Sequence, residues 1–197
     1  MAELHSRGIC PILRTCHANE NERLSQVSPT RITHDARYCN PTKMASMECL
    51  TCQSISGEKR ISPGPTIYNG KFWLVEHAYP CKLKGWLVLV LKRHVEALHE
   101  LTRDEFLELA DLQHKLAPLL FQELDCEKEY SVCLAEAEHF HHIHFHLVPK
   151  PKNLPDELKA TRIFAMLQVE EKDAIPPDEI RKLCHYLRTR FEQMGHD

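Results

Sequence analysis

The sequence predicts an α+β domain built round an antiparallel sheet. Three observations carry this. Short apolar stretches alternate with turn signals, as strands joined by hairpins do. One strongly periodic amphipathic stretch with its own start signal interrupts them. A histidine-rich run then alternates polar and apolar residues at period two. Hydrophobic residues make up 43% of the 197, enough to bury a core, and the length suits one domain with added segments.

In chain order, residues 1–46 are polar, with few large apolar side chains and no period, and weak order is expected there. Met44 and Met47 lie close to its end, so translation starting at either is one expectation. Residues 47–155 hold the strand and helix signals and are expected to form the main domain, with 156–197 as a C-terminal extension.

Within the main domain, Asn69-Gly70 separates two apolar or aromatic stretches, a strong hairpin signal. Gly85 to Lys92, GWLVLVLK, is apolar on both alternating faces, as a buried central strand is. Thr102 to Glu105 matches a capping box, and Phe106, Leu109, Leu112, Leu116 and Leu119 follow at helical spacing. Pro118 is expected to end or kink that helix. Glu129 to Glu138 reads as a strand, His142 to Pro149 as its antiparallel neighbour, and Ile163 to Val169 as a further extended piece. Pro176-Pro177 opens a last helix whose apolar stripe is Ile180, Leu183, Cys184, Leu187, Phe191 and Met194.

Composition excludes several classes. The net charge of -3 lacks the basic footprint of a duplex-binding protein, so no nucleic-acid partner is expected. No apolar run is long enough to span a bilayer and the start lacks a secretory pattern, so the expectation is a soluble, cytoplasmic protein with no membrane partner. Nine cysteines, an odd number, read as thiols or metal ligands rather than a disulfide framework.

Five histidines fall between His139 and His146. Extended, His142, His144 and His146 share one face while Ile143, Phe145 and Leu147 pack on the other. Such a row is open to three readings. It is a merely polar strand face, a catalytic metal site with an open water position, or an imidazole nucleophile acting on phosphorus.

The pattern His142-Ile143-His144-Phe145-His146-Leu147-Val148 resembles the signature of the histidine triad (HIT) superfamily of nucleotidyl hydrolases and transferases. The resemblance extends back through GWLVLVLKRHVEALHELTRDEF to the Cys49–Cys52 pair, which is similar to the zinc-bearing members. It implies a HIT-like fold: an antiparallel sheet with the capped helix packed on it and a C-terminal helical extension. It implies that His144 attacks the α-phosphorus, that His146 donates to the phosphoryl oxygens, and that His142 orients the site. It further implies a structural Zn2+ held by Cys49, Cys52, His94 and His142. The implied reaction is hydrolysis of a dinucleoside polyphosphate or an AMP conjugate, by a homodimer. A nucleotidyl transferase or phosphorylase and a low-turnover nucleotide sensor are the rivals.

The chain also departs from the family pattern. Trp86 stands where many members carry a histidine, so a hydrogen-bonding or acid/base contribution is expected to be lost there. His77, beside Glu76, stands at the ribose-binding position, and ribose contacts are expected to differ or to fall to Glu76. Ala135-Glu136-Ala137-Glu138-His139 replaces a glycine-rich phosphate-binding stretch, with His139 a candidate substitute donor and His141 a solvent-facing residue.

Overall fold

The structure, a computed structural model, describes residues 49–167 and 169–194. The expected N-terminal extension, 1–46, lies outside the described residues. The ordered elements are helix α1 (Leu50–Ser56), strands β1 (Tyr68–Asn69), β2 (Trp73–His77) and β3 (Leu87–Leu91), helix α2 (Arg103–Glu123), strands β4 (Cys126–Val132) and β5 (His144–Pro151), and helix α3 (Pro177–Gln193). The strands form one antiparallel sheet in the order β1-β2-β3-β5-β4. The stretch read as central is central: β3 lies third of five.

The sheet has two differently covered faces. Trp73, Val75, Leu87, Leu89, Leu91, Ile143 and Leu147 face α2 and α3, where Leu109, Leu112, Leu116, Leu119 and Leu120 meet Ile180, Leu187 and Phe191. On the reverse face a smaller cluster joins Trp86, Val148, Leu154 and Ile163. The C-terminal residues thus pack on both faces: α3 on one, the segment before it on the other. That segment corrects an expectation. Ala160–Met166 is a 3-10 helix, not a strand. The sheet's own edges are β1 and β4, so no strand position is left for it, and a 3-10 turn brings Ile163 and Phe164 down onto the sheet together.

Local chemistry fixes the elements. The Asn69-Gly70 hairpin is present, with Asn69 opposite Leu74. Glu108 of α2 accepts from the backbone N–H groups of Phe72 (2.9 Å) and Trp73 (3.2 Å), clamping the turn to the helix. A Cβ on Gly70 would fall 2.1 Å from that carboxylate and 2.3 Å from the Tyr68 ring, so a larger residue there must push those side chains aside. The capping box of α2 is formed: Thr102 Oγ1 accepts from Glu105 N–H, and Glu105 Oε2 accepts from Thr102 N–H (2.7 Å). Pro118 does not end α2, which continues to Glu123. The proline forfeits one backbone bond, but stopping there would expose Leu119 and Leu120, which are buried in the core. Phe106, read into the apolar stripe, is 42% exposed; the buried residue of that turn is Glu105.

Glu105 is a buried carboxylate with four donors. Arg93 grips it through Nε (2.6 Å) and an amino group (2.9 Å), and Thr102 adds its N–H and hydroxyl. Arg93 above all, with the Thr102 bonds, holds its pKa down at about 2. The pair ties the turn after β3 to the start of α2. We expect Glu105→Gln to lower the unfolding free energy by about 2 kcal/mol at pH 7. A depressed carboxylate stabilises the fold above its unfolded value and loses that contribution as pH falls toward the folded one. The gap between wild type and variant in urea denaturation should therefore be full at pH 7 and shrink below pH 4.5.

Candidate active site and metal centre

The reverse face of the sheet carries the site, and strand register lays out its floor. Val90 is paired with Leu74 on one side and His144 on the other; Val88 is paired with Glu76 and His146. Two rows result, Leu74–Val90–His144 and Glu76–Val88–His146, each crossing three strands. Above them lies a pocket of about 560 Å³, walled by α1, the residues after it, the 134–137 segment and Phe164. That size falls in the range of small-ligand sites.

The three triad histidines do not act as one row. The regular strand begins at His144. His142 sits in a bend before it, with its own N–H bonded to Phe140 O (2.7 Å), so the expected strand start at His142 is two residues early. Its ring turns toward the cysteines. Cys49 Sγ lies 3.7 Å and Cys52 Sγ 3.5 Å from His142 Nδ1, and Cys52 Sγ lies 3.3 Å from His94 Nδ1. All four donor atoms lie within 4.8 Å of one another. A tetrahedral zinc with ordinary bond lengths has a sulfur-to-nitrogen edge of about 3.6 Å, so the donor set fits zinc closely.

The outer contacts agree. His142 Nε2 donates to Leu91 O (2.7 Å) and His94 Nε2 faces Glu96 Oε1 (3.2 Å). Each bond places the ring proton on Nε2 and leaves Nδ1 free to bind metal, the usual support for a zinc-bound imidazole. Without a cation, burial and the neighbouring Cys49 push the Cys52 thiol up to about 12. A bound dication reverses that preference and favours thiolate. Two cysteines and two histidines close the coordination sphere, which makes the site structural. It ties α1 to the turn after β3 and to the start of β5.

His144 is placed differently. Its Nδ1 donates to the backbone carbonyl of His142 (2.7 Å), so the lone pair sits on Nε2, and the ring lines the pocket. Burial lowers its pKa, which favours the neutral imidazole with its lone pair open on Nε2. The carbonyl that aims it belongs to a residue of the metal centre, so the two constellations are mechanically joined.

His146 is set by Trp86, where the structure corrects the expected loss. The Trp86 indole N–H donates to His146 Nδ1 at 3.1 Å, and both residues are buried. Indole donates and never accepts. His146 therefore carries its proton on Nε2, as a donor. Burial first, then the His144 ring, lowers its pKa to about 3, so this is a neutral donor. Phe164 packs edge-on to both rings, 5.2 Å from Trp86 and 5.0 Å from His146. Sequence reading missed Phe164, since nothing local distinguishes it from a core residue.

The other candidates divide. Glu76 lines the pocket; its Oε1 accepts from Thr66 Oγ1 (3.1 Å) and meets Arg60 (3.0 Å). His77 also borders the pocket, but both its ring nitrogens serve the main chain: Nδ1 donates to Ala78 O (2.7 Å) and Nε2 accepts from Gly85 N–H (3.0 Å). Gly85 holds φ +81°, and a Cβ there would strike Leu124. His139 is not brought to the site. Its side chain is exposed beside Glu138, and its carbonyl accepts from Leu50 N–H (2.9 Å). His141 is exposed, as expected. Ala135 takes φ +54°, a left-handed conformation that favours glycine, at the place where the resemblance expects one. Of the two acids in this stretch, Glu136 borders the pocket and Glu138 points into solvent.

No protein-family model matches the chain, and comparison with curated proteins finds no significant match. Solved structures do match. A zinc-bound histidine triad family protein from Mycobacterium smegmatis aligns with TM-score 0.55 and 20% identity, over 77% of this chain and 98% of that one. The chain has the histidine triad fold. A histidine triad nucleotide-binding protein from Sulfolobus tokodaii, described as hypothetical, aligns with TM-score 0.55 and 18% identity, over 74% and 93%. Diadenosine triphosphate hydrolase from Plasmodium falciparum aligns with TM-score 0.50 and 11% identity, over 65% and 76%. In the histidine triad fold of this chain, the structural donor set and the triad share His142.

Two outcomes follow. Native mass spectrometry should find one zinc per chain, lost in Cys49→Ser and kept in His144→Ala; loss in the opposite pattern would place the metal at the triad. Trp86→Phe keeps a ring but removes the donor. The imidazole nitrogen NMR spectrum should then show His146 leaving a single Nε2–H tautomer for a mixture; an unchanged spectrum would contradict the assignment.

Proposed function

We propose that the protein is a zinc-bearing HIT superfamily hydrolase that releases a nucleoside monophosphate from dinucleoside polyphosphates or from phosphoramidate conjugates. One observation carries the reading: a neutral imidazole, His144, has one nitrogen pinned to a carbonyl and presents the other to a pocket of nucleotide size. That arrangement suits a nucleophile, and the metal-type donor cluster found among the described residues does not include His144.

In the reaction the His144 Nε2 lone pair attacks the α-phosphorus. The bond from phosphorus to the leaving phosphate oxygen or amine breaks, and the leaving group departs with the bonding pair, an amine taking up a proton from solvent as it goes. His146 Nε2–H donates to a phosphoryl oxygen as charge builds there, and its neutral form costs no proton. Water then attacks the nucleotidyl-imidazole and gives up a proton to solvent, the phosphorus–nitrogen bond breaks back to His144 Nε2, and the monophosphate leaves. His142 acts through its carbonyl and through the metal centre. Cys49, Cys52, His94 and His142 would hold the zinc, which supplies rigidity and takes no part in bond making.

The Glu76–Val88–His146 row sets the sugar. Strands are about 4.8 Å apart, so Glu76 stands about 10 Å across the floor from the histidines. Its carboxylate has the chemistry to accept from the ribose hydroxyls, and we assign it that contact in preference to His77, whose ring is engaged. Trp86 serves the substrate through His146, and His139 makes no substrate contact in this reading. A homodimer, which rests on the resemblance, and a cytoplasmic setting, which rests on the composition, belong to the same proposal.

The test is product release. Diadenosine tetraphosphate and a fluorogenic adenosine phosphoramidate should each yield AMP, with kcat reduced at least a thousandfold in His144→Ala while its thermal transition is kept. AMP bound tightly with no turnover of either compound would favour a sensor. Turnover that requires added phosphate would favour a phosphorylase.

A further inference from the structure

Ser62 lies in the link between α1 and β1 and borders the pocket. It is 2% exposed, and its hydroxyl has no protein hydrogen-bond partner. Among the described residues it is the one buried side-chain polar atom in that condition. Buried polar groups are nearly always paired, and a lone one calls for a partner outside the chain or a specific role. Its hydroxyl-bearing neighbour Ser54 differs: its oxygen already accepts from Ile61 N–H (3.3 Å).

Position says what Ser62 can reach. Arg60, two residues before it, grips Glu76 on β2. Ile61 and Ile55 border the pocket with it, and Leu74 on β2 adds to that apolar end. By strand register Leu74 is two strands away from His144, across Val90. A nucleotide with its phosphorus at His144 and its sugar near Glu76 lays its base toward this end of the floor.

We infer that the Ser62 hydroxyl hydrogen-bonds the polar edge of the nucleobase, in a slot it shares with the aliphatic side chains of Ile55, Ile61 and Leu74. The inference rests on the nucleotide reading above. A hydroxyl both donates and accepts, so it serves an amino or an oxo edge alike. It favours a base over an apolar ring of the same shape, and it does not by itself separate adenine from guanine.

The signature is two effects of opposite sign. Ser62→Ala removes a desolvated, unpaired hydroxyl from the free protein, so the urea midpoint without ligand should rise or hold. The same change should weaken AMP binding about three- to tenfold by calorimetry, the worth of one hydrogen bond. Ribose 5-phosphate, which has no base, should bind both proteins equally. A loss shared by ribose 5-phosphate would place the hydroxyl at the sugar and overturn the inference. Unchanged AMP affinity would overturn it too, assigning the hydroxyl to a resident water. A lowered midpoint with unchanged affinity would make Ser62 structural. Failure of the wild type to bind AMP would overturn the nucleotide reading itself, and the inference with it.

Discussion

The site turns on one hydrogen bond, from His144 Nδ1 to the carbonyl of His142. An imidazole free to rotate presents either nitrogen, and either tautomer, to a substrate. Here the carbonyl fixes both. What makes the carbonyl reliable is the residue that owns it: the His142 ring is held between two cysteines, His94 and the carbonyl of Leu91. Order thus passes from a metal-binding knot, through one peptide group, to the free Nε2 of His144. The metal centre and the triad are consecutive links in one chain.

The rest of the sheet serves the same end. Ile143 and Leu147 are buried on the helix side, so β5 cannot roll without opening the main core. On the other side, Trp86 and Phe164 set His146 edge-on and fix its proton outward. A tryptophan in this place is a stricter partner than a histidine, because it has only a proton to give. The result is a pair of neutral imidazoles 4.8 Å apart, one with an open lone pair and one with an open N–H. In the proposed reaction the first attacks phosphorus and the second meets the developing phosphoryl charge.

The pocket's opposite end has another character. Its walls are mostly aliphatic, with Glu76 held by Thr66 and Arg60 and with the unpaired Ser62 hydroxyl. The contrast between a polar histidine strand and an apolar far wall gives the cavity a direction. It matches a ligand charged at one end and flat at the other.

What the sequence determined alone was whatever depends on neighbours in the chain. The alternation of His144, Phe145 and His146, the box at Thr102 and Glu105, the Asn69-Gly70 turn and the Cys49–Cys52 pair are all set by residues within a few positions of each other. The stripe of α3 was legible for the same reason. The tertiary structure decided what depends on distant partners. His142 leaves the strand because cysteines ninety or more residues earlier in the chain bind its ring. Trp86 keeps a hydrogen-bonding role because His146 stands opposite it, sixty residues away. His77 is turned to the main chain by Gly85, and Phe164 reaches the site from a segment that reads as a strand. Side-chain alternation tells which face a residue is on; only packing tells which of its atoms are still free.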